Sequence, residues 1–146
     1  MNWKFEAIDK LKGYMARKNA ISSIPMEIAR LKDDCGRIRS VTSDATSVQG
    51  GSSTREDRLL SNIALRQELE LRLKDARRWV AVVDKALAVL NDEERLVLDR
   101  FYINTQRGGI SRLCDELGLL DESSVYRRKA KALRNFAIAL YGVTES

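Results

Sequence analysis

The sequence predicts an all-α protein, and its composition is the first reason. The 146 residues include one proline and eight glycines, which are too few for an all-β chain with many turns. Hydrophobic residues make up 44% of the chain and charged residues 32%, and the residues that favour long helices (Ala, Leu, Arg, Lys and Glu) are abundant. Apolar residues recur at steps of three and four in several segments, which is the second reason. A chain of this length forms one ordinary domain or two small helical units.

The first predicted helix runs from about Trp3 to Asn19. Its lysines and arginines mostly lie outside the apolar stripe, so one amphipathic helix is expected. The stripe consists of Phe5, Ile8, Leu11 and Met15.

The second predicted helix begins near Ser23, because a serine can cap a helix and Pro25 is tolerated in a first turn. Its apolar residues are separated by four and three positions, which is a heptad seam. These residues are Ile24, Ile28, Leu31, Cys35 and Ile38. Residues 40–54 then contain eight Ser or Thr and two Gly, which predicts a flexible connection between antiparallel helices. The alternative is a loop that becomes ordered on a partner.

The third predicted helix is the longest and runs from Thr54 to about Leu90. Its seam repeats over three heptads. The seam residues are Leu69, Leu73, Ala76, Val80, Val83, Leu87 and Leu90. We therefore expect residues 1–90 to form a coiled-coil domain, in which the long helix packs against the shorter pair as a three-helix bundle. A homodimeric coiled coil is the alternative.

Three shorter helices are predicted in residues 91–146. Asn91 or Asp92 caps the first, which extends from Glu94 to about Ile103. Ser111 caps a two-turn helix that stops at Gly118, and a final helix runs from Ser123 or Ser124 to about Tyr141. A short helix, a turn and a longer Arg-rich helix are the parts of a helix-turn-helix, whose second helix can enter the major groove of DNA.

The charge distribution supports a role in DNA binding. Residues 91–122 contain four basic and eight acidic side chains, whereas residues 123–142 contain five basic side chains and no acidic one. Several side chains near the start of the final helix can reach base edges or phosphates, and two further along are better placed for the backbone. The first group is Ser123, Ser124, Tyr126, Arg127 and Arg128, and the second is Lys131 and Arg134.

The absence of certain residue types from the sequence argues against several other functions. The chain has no histidine, which removes the commonest general base and the main nitrogen ligand for metals. Cys35 and Cys114 have no Cys or His nearby, so we expect small core residues rather than a disulfide or a zinc site. We therefore expect no enzyme activity, no catalytic residue, no cofactor and no metal. No apolar run approaches the roughly 20 residues that cross a bilayer, so a cytoplasmic protein without membrane contact is expected.

Five short segments in the C-terminal part of the chain form one pattern. They are Leu90-x-x-Glu93-Glu94-Arg95-Leu96-Val97-Leu98, Arg100-Phe101-Tyr102, Leu113-Cys114-Asp115-Glu116-Leu117-Gly118, Ser124-Val125-Tyr126-Arg127-Arg128 and Lys131-Ala132-Leu133-Arg134. This pattern resembles region 4 of bacterial sigma factors. The run from Ser124 to Leu133 and the closing Ala139-Leu140-Tyr141-Gly142 are similar to the ArpU-like and RinA-like regulators of late genes in phages and prophages of Gram-positive bacteria.

This resemblance implies transcriptional control through the promoter −35 element and the flap of RNA polymerase. It assigns base contacts to Ser124, Tyr126, Arg127 and Arg128, and phosphate contacts to Arg107, Lys131 and Arg134. The chain differs from a complete sigma factor because the residues before the region 4-like part lack an aromatic-rich segment that melts a −10 element. Lys129 also stands where region 4 often has Leu, and Leu120-Asp121-Glu122 lengthens the turn.

The sequence thus predicts a phage- or prophage-type regulator in the cytoplasm of a bacterial host. Its expected partner is double-stranded DNA, and RNA polymerase and a second copy of the chain are candidate further partners. Two alternatives remain open. One is a DNA-packaging protein similar to a small terminase subunit, and the other is a helical adaptor or anti-sigma-like protein that binds no DNA.

Overall fold

A computed structural model describes residues 2–40 and 51–143, with the backbone alone at residues 51–53. Every regular element in these residues is a helix, which confirms the all-α prediction. The elements are α1 (Trp3–Lys12), α2 (Tyr14–Ser40), α3 (Gly51–Val89), α4 (Asp92–Leu98), a π-helical turn (Asp99–Ile103), α5 (Gly109–Glu116) and α6 (Glu122–Tyr141). None of the helices in these two ranges is both long enough and apolar enough to cross a bilayer.

The break between the first two helices lies at Gly13, so the predicted boundary near Ser23 is wrong. Helix α2 continues through Pro25 without an interruption. Trp79 packs against this break, because a Cβ at Gly13 would lie 2.7 Å from Cζ2 of Trp79. The Nε1 of Trp79 also donates to the Lys10 carbonyl at 2.9 Å. The indole therefore occupies the space beside the chain where α1 ends.

The connection predicted for residues 40–54 is shorter than expected. Ser40 is the last residue of α2 and Gly51 is the first residue of α3, so both edges of the predicted loop are helical. The prediction for residues 41–50 lies outside the described residues.

The chain divides into two compact units. The first combines Met1–Lys18 with Arg78–Ser146, and the second is Asn19–Arg77. This division differs from the predicted boundary between residues 90 and 91. The physical reason is that α1 and the end of α3 contribute apolar side chains to the same core as the C-terminal helices.

The core of the first unit draws on every helix in it. Its largest fully buried side chains are Phe136, Leu11, Leu98, Leu113, Leu133, Val83, Val97 and Val125. Leu11 lies on α1 and Val83 on α3, whereas Phe136 lies on α6. The buried side of α6 is therefore held by helices from both ends of the chain.

The second unit contains parts of α2 and α3 with a buried seam. Ile28, Leu31 and Cys35 from the predicted heptad of α2 are buried, as are Leu73 and Ala76 of α3. Asn62 is the buried polar residue of this seam, where its Nδ2 donates to the Leu31 carbonyl at 2.8 Å. A satisfied polar side chain in an apolar seam favours one register of the two helices. The three-helix arrangement of residues 1–90 stays a prediction.

The starts of the last three helices depend on local capping. Asn91 caps α4 as predicted, because its Oδ1 accepts from the Glu94 amide at 2.8 Å. Helix α5 begins at Gly109, two residues before the predicted Ser111, after Gly108 with φ 72°. Helix α6 is capped by Asp121 rather than by Ser123 or Ser124. Asp121 therefore caps α6 in place of the two serines predicted for that position.

Candidate nucleic-acid interface

Helix α6 is anchored on one side and open on the other. Its buried residues are Val125, Ala132, Leu133, Phe136 and Ala137. At its C-terminus, Gly142 adopts a left-handed conformation with φ 76°, and its amide donates to the Ile138 carbonyl. The buried stripe determines which residues of this helix face outwards.

Three cationic residues occupy the outward face of α6. At about 100° per residue, Arg127, Lys131 and Arg134 lie roughly 180–240° around the helix from the buried Val125. All three side chains are exposed. Within residues 2–40 and 51–143 none of them has an acidic partner within ion-pair distance. Nη2 of Arg127 donates to the Ser124 hydroxyl oxygen at 3.2 Å. This face therefore presents three cations, none of which forms an ion pair within the described part of the chain.

Arg128 lies on the flank of α6 and is paired across the unit. Its Nη1 donates to the Glu93 carboxylate of α4, which is 35 positions earlier in the chain. The neighbouring Glu94 accepts from Nδ2 of Asn135 at 2.7 Å, which adds a second bond between α4 and α6. Sequence reasoning predicted neither partner. Contacts over such a separation leave no periodic signal in the sequence.

A polar cleft lies between the start of α4 and α6. Its volume is about 490 Å³. Its lining residues are Asn91, Glu93, Glu94, Val97, Ser124, Arg127, Arg128 and Lys131. One wall is thus acidic and the other is basic.

Tyr126 packs its ring against Phe101 and is also partly exposed to solvent. Its ring meets the ring of Phe101 edge-on at 5.8 Å between centroids, yet 43% of the residue stays exposed. The Nζ of Lys129 lies 5.0 Å from the Phe101 ring centroid and 5.2 Å from that of Tyr126. Cation–π attraction therefore ties the base of α6 to the π-helical turn that contains Phe101. This turn is closed by the Asn104 amide, which donates to the Asp99 carbonyl at 2.7 Å.

The two serines at the start of α6 are engaged within the helix terminus. Oδ1 of Asp121 accepts from the Ser124 hydroxyl at 2.8 Å, from the Ser124 amide at 2.9 Å and from the Ser123 hydroxyl at 3.0 Å. These hydrogen bonds, those from Ser124 first, lower the pKa of the Asp121 carboxyl. Both hydroxyls therefore point at a carboxylate, which makes Ser123 and Ser124 parts of the cap.

Arg107 lies apart from α6, in the segment between the π-helical turn and α5. Its side chain is exposed. It has no acidic partner within ion-pair distance in the described ranges. The structure thus leaves this predicted phosphate contact open to solvent.

Both cysteines contribute to packing or to hydrogen bonding within the fold. Cys35 is buried, as expected. Cys114 is partly buried, and its Sγ donates to the Leu119 carbonyl at 3.2 Å and to the Asp121 carbonyl at 3.5 Å. Desolvation raises the pKa of the Cys114 thiol, and the nearby acids, Asp115 among them, raise it further. The thiol thus links α5 to the turn before α6. Over the described ranges, no group of three His, Cys, Asp or Glu side chains is arranged to hold a metal.

Comparison of the chain with protein-family models, with curated proteins and with solved structures gives no match.

Proposed function

We propose that this chain is a DNA-binding transcription regulator of the phage or prophage type, which reads duplex DNA through α6. In this proposal α5 and α6 form a helix-turn-helix, and the protein acts together with RNA polymerase. The observation that carries the proposal is the outward face of α6, where Arg127, Lys131 and Arg134 are exposed and have no ion pair among the described residues.

The dimensions of α6 suit a major groove. Its 20 residues span about 30 Å, and its diameter of about 10–12 Å matches a groove about 12 Å wide. The turn before it is held by Cys114, and Leu113 of α5 and Val125 of α6 belong to one core. A helix held in this way keeps its exposed face in one orientation relative to α5.

The residues have different proposed roles. Arg127 is on the first outward turn and is assigned to base edges, where an arginine can contact guanine through two hydrogen bonds. Lys131, Arg134 and Arg107 are assigned to phosphates, which supply affinity without reading sequence. Ser123 and Ser124 position the helix terminus through Asp121. Tyr126 packs on Phe101 and offers its exposed edge to the groove.

The acidic turn limits where DNA can approach. Asp121 and Glu122 precede the basic residues, and Asp115 and Glu116 end α5. Carboxylates repel phosphates, although they can accept hydrogen bonds from cytosine N4. The proposed contact zone therefore begins at Tyr126 rather than at the first residue of α6.

The decisive experiment is fluorescence anisotropy on duplex fragments from the chain's genomic neighbourhood and on a random-sequence duplex, over a salt series. The test variant is Arg127→Ala/Arg134→Ala. The matched control is Arg72→Ala/Arg77→Ala, which removes the same charge from exposed positions of α3. We expect the test variant to lose at least about tenfold in affinity, with a log–log salt slope shallower by about 1 to 2. Absence of binding at low salt, or equal losses in both variants, would contradict the proposal.

A helical adaptor that binds no DNA is the second candidate, and exposed apolar residues in the second unit favour it. Met26 is 74% exposed, and Leu60 and Leu71 are each 65% exposed. Leu60 and Leu71 lie within about 20° of each other around α3, on the side away from its buried seam. This candidate predicts negligible DNA affinity at low salt. The packaging alternative predicts a ring-sized oligomer, which light scattering after size-exclusion chromatography would detect.

A further inference from the structure

We infer that Glu93 is an intramolecular counterion that competes with DNA for Arg128 and so limits binding to non-specific sequence. This inference deepens the proposed function and rests on it. The observation behind it is the ion pair between the Glu93 carboxylate and Nη1 of Arg128, which joins α4 to the flank of the proposed reading helix.

The pair is placed where a ligand can reach it. The Arg128 side chain is 43% exposed and the Glu93 side chain is 39% exposed. Ion pairs that are this open to water are weak, because solvent screens both charges. A DNA phosphate can therefore replace Glu93 at Arg128. The phosphate then lies close to the negatively charged Glu93 carboxylate, which repels it.

The two acids of the cleft have different roles. Glu94 accepts a hydrogen bond from Asn135, which makes it part of the contact between α4 and α6. Glu93 instead pairs with Arg128, a cation of the basic wall that also contains Arg127 and Lys131. Glu93 is thus the acid that reduces the positive charge available to a DNA backbone.

Discrimination between DNA sequences follows from this competition. On a random sequence, a phosphate offers Arg128 one contact in exchange for Glu93, so the net gain is small and Arg128 stays paired with Glu93. At a cognate site, acceptors such as guanine O6 and N7 bind the guanidinium through two hydrogen bonds and can replace the carboxylate. Glu93 therefore weakens non-specific binding more than specific binding.

The test measures binding of the full chain to a random-sequence duplex by anisotropy over a salt series, with Glu93→Gln as the variant. The matched control is Asp92→Asn, which removes the same charge one residue away. Asp92 pairs with Arg95 within α4 and does not line the cleft. We expect Glu93→Gln to bind about 3- to 10-fold more tightly than the unmodified chain. We also expect its salt slope to be steeper by about 1, because Arg128 neutralises an additional phosphate. Asp92→Asn should leave the slope unchanged.

A second comparison separates competition from a general change in charge. In an Arg128→Ala background, the Glu93→Gln change should have no effect beyond that of Asp92→Asn. Persistence of the gain in that background would overturn the inference, as would equal behaviour of Glu93→Gln and Asp92→Asn. Circular dichroism melts establish that each variant is folded.

The outcomes distinguish this inference from the proposed function. If neither the unmodified chain nor Glu93→Gln binds at low salt, the proposed function fails, and this inference fails with it. If the unmodified chain binds through Arg127 and Arg134 but Glu93→Gln matches its control, only the role of Glu93 is overturned.

Discussion

Gly13 is surrounded more closely than the other glycines whose side-chain space the structure describes. A Cβ there would lie 2.7 Å from Trp79 Cζ2 and 3.1 Å from Nη1 of Arg17. The same indole ring has Lys10 Nζ at 4.0 Å and the Arg17 guanidinium carbon at 4.1 Å from its centroid. The ring is therefore enclosed by two cations, with little freedom to move away from an added methyl group.

We predict that Gly13→Ala lowers the free energy of unfolding by about 1–3 kcal/mol, which is typical of overpacking. Gly36→Ala is the control, because Gly36 lies inside α2 and has no neighbouring atom within 4 Å of an added Cβ. The control should be neutral or more stable by up to about 1 kcal/mol, since alanine favours a helix interior. Urea unfolding of both variants gives the comparison, and equal stabilities would contradict the packing account.

Tyr14 is a buried residue whose hydroxyl must be protonated to donate its hydrogen bond to Asp84. Its hydroxyl donates to Oδ1 of Asp84 at 2.6 Å. Desolvation, the hydrogen bond and the negative charge of Asp84 together raise the pKa of Tyr14 to about 12. A phenol with a raised pKa contributes stability that is fully present below its ordinary pKa of 10.0 and is lost as the pH rises towards 12.

We therefore predict that the chain loses stability between pH 10 and pH 12 more steeply than its Tyr14→Phe variant. The difference between the two thermal midpoints over this range isolates Tyr14, because Tyr102 and Tyr141 have raised pKa values of their own in both proteins. Parallel curves for the two proteins would show that Tyr14 does not contribute.

At the scale of elements, the start of α6 depends on one carboxylate. Asp121 accepts three hydrogen bonds there, and they lower the pKa of its carboxyl. A lowered pKa means that the stabilisation is present above the ordinary pKa and is lost as the pH falls through the folded-state pKa.

We predict that Asp121→Ala frays the first turn of α6, whereas Asp121→Asn retains a capping acceptor. Hydrogen exchange at the Ser124 amide is the measurement, and unchanged protection in Asp121→Ala would contradict the assignment.

At the scale of the whole molecule, the first unit is built from both ends of the chain. Ala7 and Leu11 of α1 and Val83 of α3 are fully buried in its core. A fragment of residues 91–146 would lack all of them and would expose the part of α6 that packs on α1. We predict that this fragment has little helix and no cooperative melt by circular dichroism, whereas the full chain melts cooperatively. A cooperative melt of the fragment would show that residues 91–146 fold alone.

The helical class, the buried seam of the second unit and the charged face of α6 could be predicted from the sequence, because each repeats at helical spacing along a single helix. The predicted stripe of α1 is wrong at Phe5, which is 65% exposed. Val125, Leu133 and Phe136 repeat at helical spacing, so the opposite side of the helix had to contain Arg127 and Arg134. The same reasoning found the Asn91 cap, which lies beside the helix that it begins. The expected binding of DNA, of RNA polymerase and of a second copy of the chain remains a prediction.

Propensity, capping and periodicity are local, so the amino-acid sequence predicted the helical class and the polar and apolar faces of most helices. Three features depend instead on tertiary contacts: the packing of Trp79 at Gly13, the core that α1 and the end of α3 share with α6, and the ion pair between Glu93 and Arg128. These features join residues that are 35 or more positions apart, as in the pairs Glu93–Arg128 and Lys10–Trp79. Such pairings depend on how the chain folds back on itself, and no short-range pattern specifies that path.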